Sequence, residues 1–190
     1  MNEQIRSVRA STSSARTVAA WILTLLLAGC GYTTSRLLPA AYRTIYVEPL
    51  KNQIPITEEV NEQLGYQANL PQLQEDVTRG VIDRFLFDGN LRVTTKREEA
   101  DLVLDGEIID FLRQPVRRLE DGSAEEYRLN LTAHLTLRDR KGTQVFEEPG
   151  LIGDTTYFVT GTSAITETVA VDNLITDFSR RVVERVVENW

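Results

Sequence analysis

The sequence predicts an α+β domain in which two helices pack on one face of a mostly antiparallel, roughly four-stranded sheet. Residues 127–138 alternate strictly between apolar and polar side chains, as does a strand with one buried and one solvated face. Two longer segments, about 70–87 and 163–190, carry apolar residues at helical spacing. The resulting order of strand, helix, two or three strands and helix is typical of this class.

The first half of the domain reads as a strand, a loop, a helix and a short strand. Arg43–Glu48 alternates and is rich in β-branched and aromatic residues, which predicts the first strand. The polar segment Lys51–Tyr66 is interpreted as a loop. The first helix is predicted from about Leu70 to Phe87, with Gly89 as its C-terminal stop. Leu91–Thr94 follows as a short strand.

The central strand is predicted over Ala100–Leu112. Gly106 within it indicates a bulge or a close backbone approach. The polar segment Gln114–Glu125 is interpreted as the loop that leads to the alternating strand. The apolar side chains of that strand are expected to face the core: Tyr127, Leu129, Leu131, Ala133, Leu135 and Leu137.

The chain then turns at Asp139–Gly142 and returns as an antiparallel strand over about 143–158. Pro149-Gly150 must bend or interrupt this strand, because proline cannot donate to a ladder. The last helix is predicted over about 163–190. Its apolar positions step by three or four residues: Val171, Ile175, Phe178, Val182 and Val186.

The N-terminal segment has the anatomy of a secretory signal that ends in a lipid-attachment site. Three arginines precede an apolar run of roughly ten residues, which is too short for a transmembrane helix. The run closes with Leu27-Ala28-Gly29-Cys30, which resembles the lipobox of bacterial lipoproteins. That resemblance implies cleavage after Gly29 and a lipid on Cys30. The chain is therefore divided into a signal peptide (1–29), a lipidated tether (30–42) and a single domain (43–190).

The alternative interpretation of this segment is an ordinary secretory signal followed by a chance buried cysteine. An ordinary signal needs only small residues before the cut, so a cysteine directly after it favours the lipoprotein. Gly31 stands where an Asp would resemble the signal for retention in the inner membrane. The absence of this Asp favours the outer membrane, with the domain on the periplasmic side. Several acyl chains suffice for stable anchoring in that membrane.

Composition and charge make several classes of function unexpected. The chain is 42% hydrophobic and 26% charged, with a formal net charge of −7, so no nucleic-acid partner is expected. Cys30 is the only cysteine, which leaves no disulfide, no thiolate metal site and no cofactor beyond the covalent lipid. The single histidine, His134, lies on the polar face of a strand, and a lone exposed histidine is more often a surface residue than a catalyst because acid–base catalysis needs a partner within reach. No nucleophile or phosphate-loop motif occurs, and we do not expect an enzyme.

Four acidic residues lie on or just before the central strand: Asp101, Asp105, Glu107 and Asp110. They could bind a cation only from one face, and their spacing divides them between two faces. They are therefore interpreted as solvated strand residues.

Two basic clusters stand out against the acidic background: Arg113, Arg117 and Arg118 after the central strand, and Arg138, Arg140 and Lys141 at a hairpin tip. Arginine binds phosphate and carboxylate through a planar, bidentate fork, so either cluster could bind an anionic glycolipid. The alternative for each is solubilising loop charge. Because a hairpin places its tip and its open end at opposite ends of a sheet, the two clusters are not expected to form one site.

Several short motifs of the mature chain occur in a known order. They are Cys30-Gly31-Tyr32, Leu38-Pro39, Ile45-Tyr46-Val47-Glu48-Pro49 with Asn52, a helix, and Ala100-Asp101-Leu102-Val103-Leu104-Asp105-Gly106-Glu107-Ile108. In this order they resemble the LptE family of lipopolysaccharide-assembly lipoproteins, over most of residues 30–190.

The resemblance implies two helices on a mostly antiparallel, four-stranded sheet, which agrees with the pattern above. It implies a plug inside the outer-membrane β-barrel LptD, which the family helps to fold, and a role in inserting lipopolysaccharide into the outer leaflet. Family members contact lipopolysaccharide through basic residues near strand ends, for which Arg138, Arg140 and Lys141 are our candidates. The alternative is a periplasm-facing lipoprotein that regulates a cell-wall synthase or a secretion complex, since other small α+β lipoproteins share a strand like Ala100–Gly106.

Overall fold

The computed structural model describes residues 39, 41–54 and 70–188. The signal, Cys30, most of the tether and the segment 55–69 lie outside the described residues. The strands are β1 (Thr44–Val47), β2 (Lys51–Asn52), β3 (Arg92–Val93), β4 (Leu102–Arg118), β5 (Ala124–Asp139) and β6 (Gln144–Phe158). The helices are α1 (Leu70–Asp88) and α2 (Glu167–Glu188), and no helix in the described part is long and apolar enough to cross a bilayer.

The strands form one mixed sheet in the order β3-β1-β4-β5-β6, with β2 also pairing with β4. β4, β5 and β6 are antiparallel, whereas β1 and β2 run parallel to β4 and β3 runs parallel to β1. The α+β class is confirmed, but the prediction of about four mostly antiparallel strands is wrong. The reason is α1, which crosses back between the first strands and β3, so the strands on its two sides run in the same direction.

Parts of two segments interpreted as loops are strands instead, and residues 55–66 of the first segment lie outside the described residues. Lys51 and Asn52 form β2 opposite Glu107 and Ile108 of β4, a pairing too short to leave a periodic pattern in the sequence. β4 also continues to Arg118, six residues beyond the predicted end of the central strand. The register shifts directly after Pro115, which lets the ladder resume beyond a residue that cannot donate to it.

β5 confirms the alternation that the sequence shows. Its inward side chains are at most 1% exposed: Leu129, Leu131, Ala133, Leu135 and Leu137. They join the buried side chains of α1 and α2 in a single apolar cluster. The outward side chains of β5 belong to what we call the open face of the sheet, and they are all polar: Arg128, Asn130, Thr132, His134, Thr136 and Arg138.

The sequence predicts an interruption of β6 at Pro149-Gly150 and a bulge or close approach at Gly106, and the structure has the first of these at the predicted place. β6 has one extra residue at Pro149-Gly150, opposite the step from Ala133 to Leu135, as predicted. Gly106 pairs regularly with Leu135, and the nearest bulge lies at Ile109 instead. Gly106 does mark a close approach, by side chains rather than backbone: a Cβ there would lie 3.0 Å from both Leu135 Cδ2 and Leu50 Cγ.

α2 packs on β6 through a glycine and an ionic contact. A Cβ on Gly153 would lie 2.6 Å from Phe178 Cβ and 2.8 Å from its Cα, so only glycine permits this approach. Beside it, Asp177 Oδ2 accepts a hydrogen bond from the Asp154 N–H at 3.1 Å and from Arg181 Nε at 2.7 Å. Arg180 Nη2 donates to the other oxygen of Asp177 at 2.6 Å. These contacts fix the helix to the outer strand of the sheet.

Candidate functional site

The register of β4 and β5 places the two basic clusters at opposite ends of the sheet. Arg118 pairs with Ala124 at the start of β5, whereas Arg138 pairs with Val103 near its end. We call the Arg138 side the entry end, because Asp101 there contacts the first residues of β1, where the chain enters the described domain. The other side, around residues 116–123 and 158–165, is the distal end. As predicted, the clusters do not form one site.

At the entry end, two of the three candidate lipopolysaccharide-binding residues already have acidic partners. Arg138 forms an ion pair with Asp105, and Arg140 Nη2 lies 3.0 Å from Asp101 Oδ1. Arg140 Nε also donates to the Ala100 carbonyl at 3.2 Å. A ligand phosphate would have to compete with these carboxylates for both guanidinium groups.

Asp101 is a structural anchor for this end. Its Oδ2 accepts hydrogen bonds from the backbone N–H groups of Arg43 and Thr44, at 3.0 and 3.1 Å, and from Thr44 Oγ1 at 2.9 Å. Burial by itself would raise the pKa of Asp101. The hydrogen bonds from Arg43 and Thr44, together with the charge of Arg140, outweigh it and hold the pKa below its ordinary value.

Lys141 is the remaining member of the Arg138 cluster, and it is exposed in the turn between β5 and β6. Asp139 Oδ1 shapes this turn by accepting from the backbone N–H groups of Lys141 and Thr143, both at 2.8 Å. Within the described part of the chain no carboxylate forms an ion pair with the Lys141 ammonium. Of the three candidates, Lys141 therefore offers the charge that is available to a ligand.

At the distal end, Arg113 has a structural role. Its guanidinium lies 3.8 Å from the ring centre of Tyr127, its Nε donates to Tyr157 Oη at 3.0 Å, and its Nη2 lies 3.5 Å from Glu167. Burial by itself would lower the pKa of Arg113, but the hydrogen bond to Tyr157 and the charge of Glu167 raise it. This side chain ties β4 to β6 and to the start of α2, so it is not free to bind a ligand.

Arg117 and Arg118 are exposed at this end. Arg117 Nε lies 3.7 Å from Glu126 and 3.8 Å from Glu125, and its guanidinium lies 5.5 Å from the ring centre of Phe158. Arg118 Nη1 donates only to the Gly122 carbonyl, at 2.9 Å, among the contacts of the described residues. Arg118 therefore has no carboxylate partner among the described residues, whereas Arg117 lies within 4 Å of two glutamates.

Exposed apolar side chains surround these two arginines, a feature that the sequence reading missed. Four of them lie in the turns and strand ends of the distal end: Val116, Leu119, Val159 and Ile165. Backbone bonds join these segments, since the Val159 N–H donates to the Glu125 carbonyl at 3.0 Å and the Ile165 N–H to the Phe158 carbonyl at 3.0 Å. The signal in the sequence was the apolar residue on either side of the arginine pair, in Val116-Arg117-Arg118-Leu119.

The open face carries the acidic residues of β4, and here the sequence interpretation was wrong. The bulge at Ile109 turns Asp110 to the same side as Asp105 and Glu107, so these three carboxylates share one face. They do not form a metal site, since no group of acidic, histidine or cysteine side chains in the described residues could hold an ion. Asp105 forms an ion pair with Arg138. A hydrogen bond with Asp105, together with burial, raises the pKa of Glu48. His134, on the same face, lies 2.7 Å from Glu147.

The model of the LptE family, described as lipopolysaccharide-assembly, matches residues 42–189, which include the whole described domain after Ala41. The chain belongs to the LptE family. The family resemblance drawn from its short motifs is confirmed. No curated protein matches the sequence significantly.

Solved structures similar to this LptE-family chain have low sequence identity to it, and the first of the three below shows the same fold. A Xanthomonas campestris protein is 12% identical with a TM-score of 0.54, and the match covers 80% of this chain and 89% of that one. An uncharacterised lipoprotein B from Nitrosomonas europaea is 12% identical with a TM-score of 0.47, covering 84% and 88%. The rare lipoprotein B from Shewanella oneidensis is 14% identical with a TM-score of 0.42, covering 75% and 91%.

Proposed function

We propose that this LptE-family protein is a lipid-anchored outer-membrane component that plugs the LptD β-barrel, assists its assembly and helps to insert lipopolysaccharide into the outer leaflet. The observation that carries the proposal is the family match, which spans nearly all of the folded domain. The proposed role is one of binding and positioning rather than catalysis. Its alternative is the regulation of a cell-wall synthase or a secretion complex from the periplasmic side.

The anchor of this proposal is a lipid on Cys30, exposed by removal of residues 1–29. Leu27-Ala28-Gly29-Cys30 at the end of the apolar run supports it. The segment 30–42 would then act as a tether between the membrane and the domain, which extends over 43–190. This arrangement holds the domain on the periplasmic side, where the mouth of an outer-membrane barrel opens.

The open face of the sheet is the surface best suited to the barrel. Its β5 side chains are all polar, and most of the residues opposite them on β4 are polar as well: Asp105, Glu107, Asp110 and Gln114, with Val103 and Leu112 as the apolar exceptions. The lumen of a large outer-membrane barrel is polar and water-lined, so a predominantly polar sheet face suits it, although Ile152 of β6 is an exposed apolar side chain on this face. The buried face of the same sheet is already covered by the two helices.

Co-purification of a partner is the test of this proposal. The full-length protein, tagged at its C terminus, is extracted in mild detergent, and the stoichiometric partner is identified by mass spectrometry. We expect one large β-barrel at a one-to-one ratio. Thr132→Trp on the open face should reduce its recovery, while Asn173→Trp on the exposed side of α2 should not. A cell-wall synthase or secretion component in place of the barrel would establish the alternative.

Lipopolysaccharide contact by Arg138, Arg140 and Lys141 is part of the proposal. Lys141 carries most of the expected effect, because its ammonium has no acidic partner among the described residues while both arginines do. Joint replacement of all three would also leave Asp101 and Asp105 uncompensated. Lys141→Glu is therefore the cleaner variant.

The distal end is a second candidate for the same contact, favoured by one observation: Arg117 and Arg118 lie among exposed apolar side chains. Lipopolysaccharide carries phosphates next to acyl chains, and a mixed cationic and apolar surface matches both parts. Binding of fluorescent lipopolysaccharide to the full-length protein separates the two candidates. If the entry end binds, Lys141→Glu should weaken the binding of lipopolysaccharide. If the distal end binds, the double variant Arg117→Glu with Arg118→Glu should weaken it instead. Arg79→Glu, on the exposed side of α1, matches the charge change of Lys141→Glu and is its control. Unchanged binding in all variants would remove both candidates.

A further inference from the structure

Two large apolar side chains protrude at the C-terminal end of α1. Leu86 is 61% exposed and Phe87 is 81% exposed, the highest values for large apolar residues in the described part of the chain. The core-facing positions of the helix are occupied by Leu73, Val77, Val81 and Phe85, at a spacing of four residues. Leu86 and Phe87 directly follow Phe85 and so point away from the core. Packing of the domain does not explain them.

This pair lies at the entry end of the domain. The chain leaves α1 at Asp88 and reaches Arg92 four residues later, where the Arg92 N–H donates to the Arg43 carbonyl at 2.9 Å. Arg43 stands at the point where the N-terminal segment joins the folded domain. The C-terminal end of α1 is thus tied to the place from which the proposed tether departs.

The charges around the pair suit the boundary between water and lipid. The Arg84 guanidinium lies 5.2 Å from the ring centre of Phe87, and Arg43 and Arg92 are exposed beside β1 and β3. Asp88, which follows Phe87, accepts hydrogen bonds from the N–H and side-chain amide of Asn90, and Asp83 lines a surface cavity together with Arg84 and Phe87. An aromatic ring with a long cationic side chain beside it is an arrangement that can place the ring among acyl chains and the charge at the headgroups.

We infer that Leu86 and Phe87 insert into the surface of the bilayer that holds the chain's own anchor, and so seat the entry end on the inner leaflet. The inference rests on the proposed lipidation of Cys30. The segment from Cys30 to Tyr42 spans at most about 40 Å when extended, which limits how far the entry end can stand from the membrane. A second, non-covalent contact at this end would fix the orientation of the domain as well as its distance, leaving the distal end turned away from the bilayer.

Site-specific quenching in proteoliposomes tests this inference. Cys30 is the only native cysteine, and lipidation consumes its thiol, so Phe87→Cys in the full-length lipoprotein provides a single site for an environment-sensitive fluorophore. The protein is reconstituted alone into vesicles of phosphatidylethanolamine and phosphatidylglycerol. Ile152→Cys, an exposed apolar position on the outer strand β6, is the matched control.

We expect the label at position 87 to lose fluorescence to nitroxide-bearing lipids and to resist aqueous iodide, while the label at 152 shows the reverse. Iodide quenching at 87 equal to that at 152, in protein that floats with the vesicles, would overturn the inference and leave the anchor intact. Protection of position 87 from both quenchers would also overturn it, in favour of a contact between two copies. Protein that does not float with the vesicles would overturn the proposed anchor and this inference with it.

Discussion

At the scale of single residues, Gly153 decides how closely α2 approaches the sheet. The atoms that a new Cβ would meet are Phe178 Cβ and Cα, at 2.6 and 2.8 Å, and neither is the flexible end of a side chain. Gly153→Ala should therefore lower the free energy of unfolding by about 1–3 kcal/mol through overpacking. Urea unfolding of the full-length protein measures it. Gly150→Ala, whose Cβ would lie 4.0 Å from Thr132 Cγ2, is the control and should unfold near the wild type. Equal midpoints for the two variants would contradict this packing.

Asp177 makes the stability of the α2–β6 contact depend on pH. Burial by itself would raise its pKa, but hydrogen bonds from Arg180, the Asp154 N–H and Arg181 hold the pKa below its ordinary value. A carboxylate whose pKa is lower in the folded than in the unfolded state stabilises above the unfolded pKa of about 3.9. That contribution is lost as the pH falls through the folded pKa.

Asp177→Ala should accordingly cost about 1–3 kcal/mol at pH 7, because it removes the charged acceptor of the half-buried Asp154 N–H and of Arg180 and Arg181. The difference from the wild type should shrink in acid, below the ordinary aspartate range. Chemical unfolding at a series of pH values measures both effects. Asp172→Ala, at an exposed position of the same helix, should show neither, and a pH-independent cost at position 177 would rule out the role of its charge.

At the scale of elements, β5 is the strand on which the core depends, and Leu131 lies at its centre. Leu131 is fully buried and pairs with Phe111 on one side and Gly153 on the other. Leu131→Ala should cost roughly 2–5 kcal/mol through lost burial and the cavity it leaves. Thr132→Ala, one residue along on the open face, should cost far less. Denaturant unfolding compares them, and a loss at position 132 equal to or larger than that at 131 would contradict the assignment of Leu131 to the core face.

β5 and the two helices could be predicted because their packing needs a regular pattern over many residues. The alternation of β5 and the four-residue spacing on α1 are both visible in the sequence. β2, by contrast, has only two residues and exists because β4 lies beside it, and the parallel direction of β1 depends on the path of α1. The residues of β1 and β2 themselves therefore carry no pattern that predicts this pairing or this direction. The bulge at Ile109 is similarly invisible, and it changes the face on which Asp110 lies.

The candidate site was only partly predictable for a related reason. The sequence shows two basic clusters, and the hairpin geometry correctly separates them. It does not show that Arg138 and Arg140 meet Asp105 and Asp101, which lie 33 and 39 residues earlier in the chain. Such partners come together only through the pairing of β4 with β5. The availability of a charge to a ligand is therefore a property of the folded sheet.

At the scale of the whole molecule, the folded domain and its proposed attachment to the membrane are separable. The described domain forms its core from residue 45 onward and includes no part of the lipobox. Cys30→Ser should thus abolish fractionation with the outer membrane while the thermal unfolding of the domain stays unchanged. Sucrose-gradient fractionation and circular dichroism measure the two properties. A Cys30→Ser protein that still fractionated with the outer membrane would contradict the proposed lipidation.

The contact between Asp177 and the Asp154 N–H also affects whether the free edge of β6 can pair with a strand from another copy of the protein. β6 is an outer strand of the described sheet, 15 residues long, and an unpaired edge of that length invites a strand from another copy. Along the free edge of β6, two residues cannot donate a backbone hydrogen bond to an incoming strand. Pro149 has no N–H, and the Asp154 N–H already donates to Asp177 of α2. Neither half leaves a long uninterrupted template. A protein confined to a surface meets its own copies more often than one in free solution, so in the proposed lipid-anchored state these two breaks would oppose strand-to-strand polymerisation.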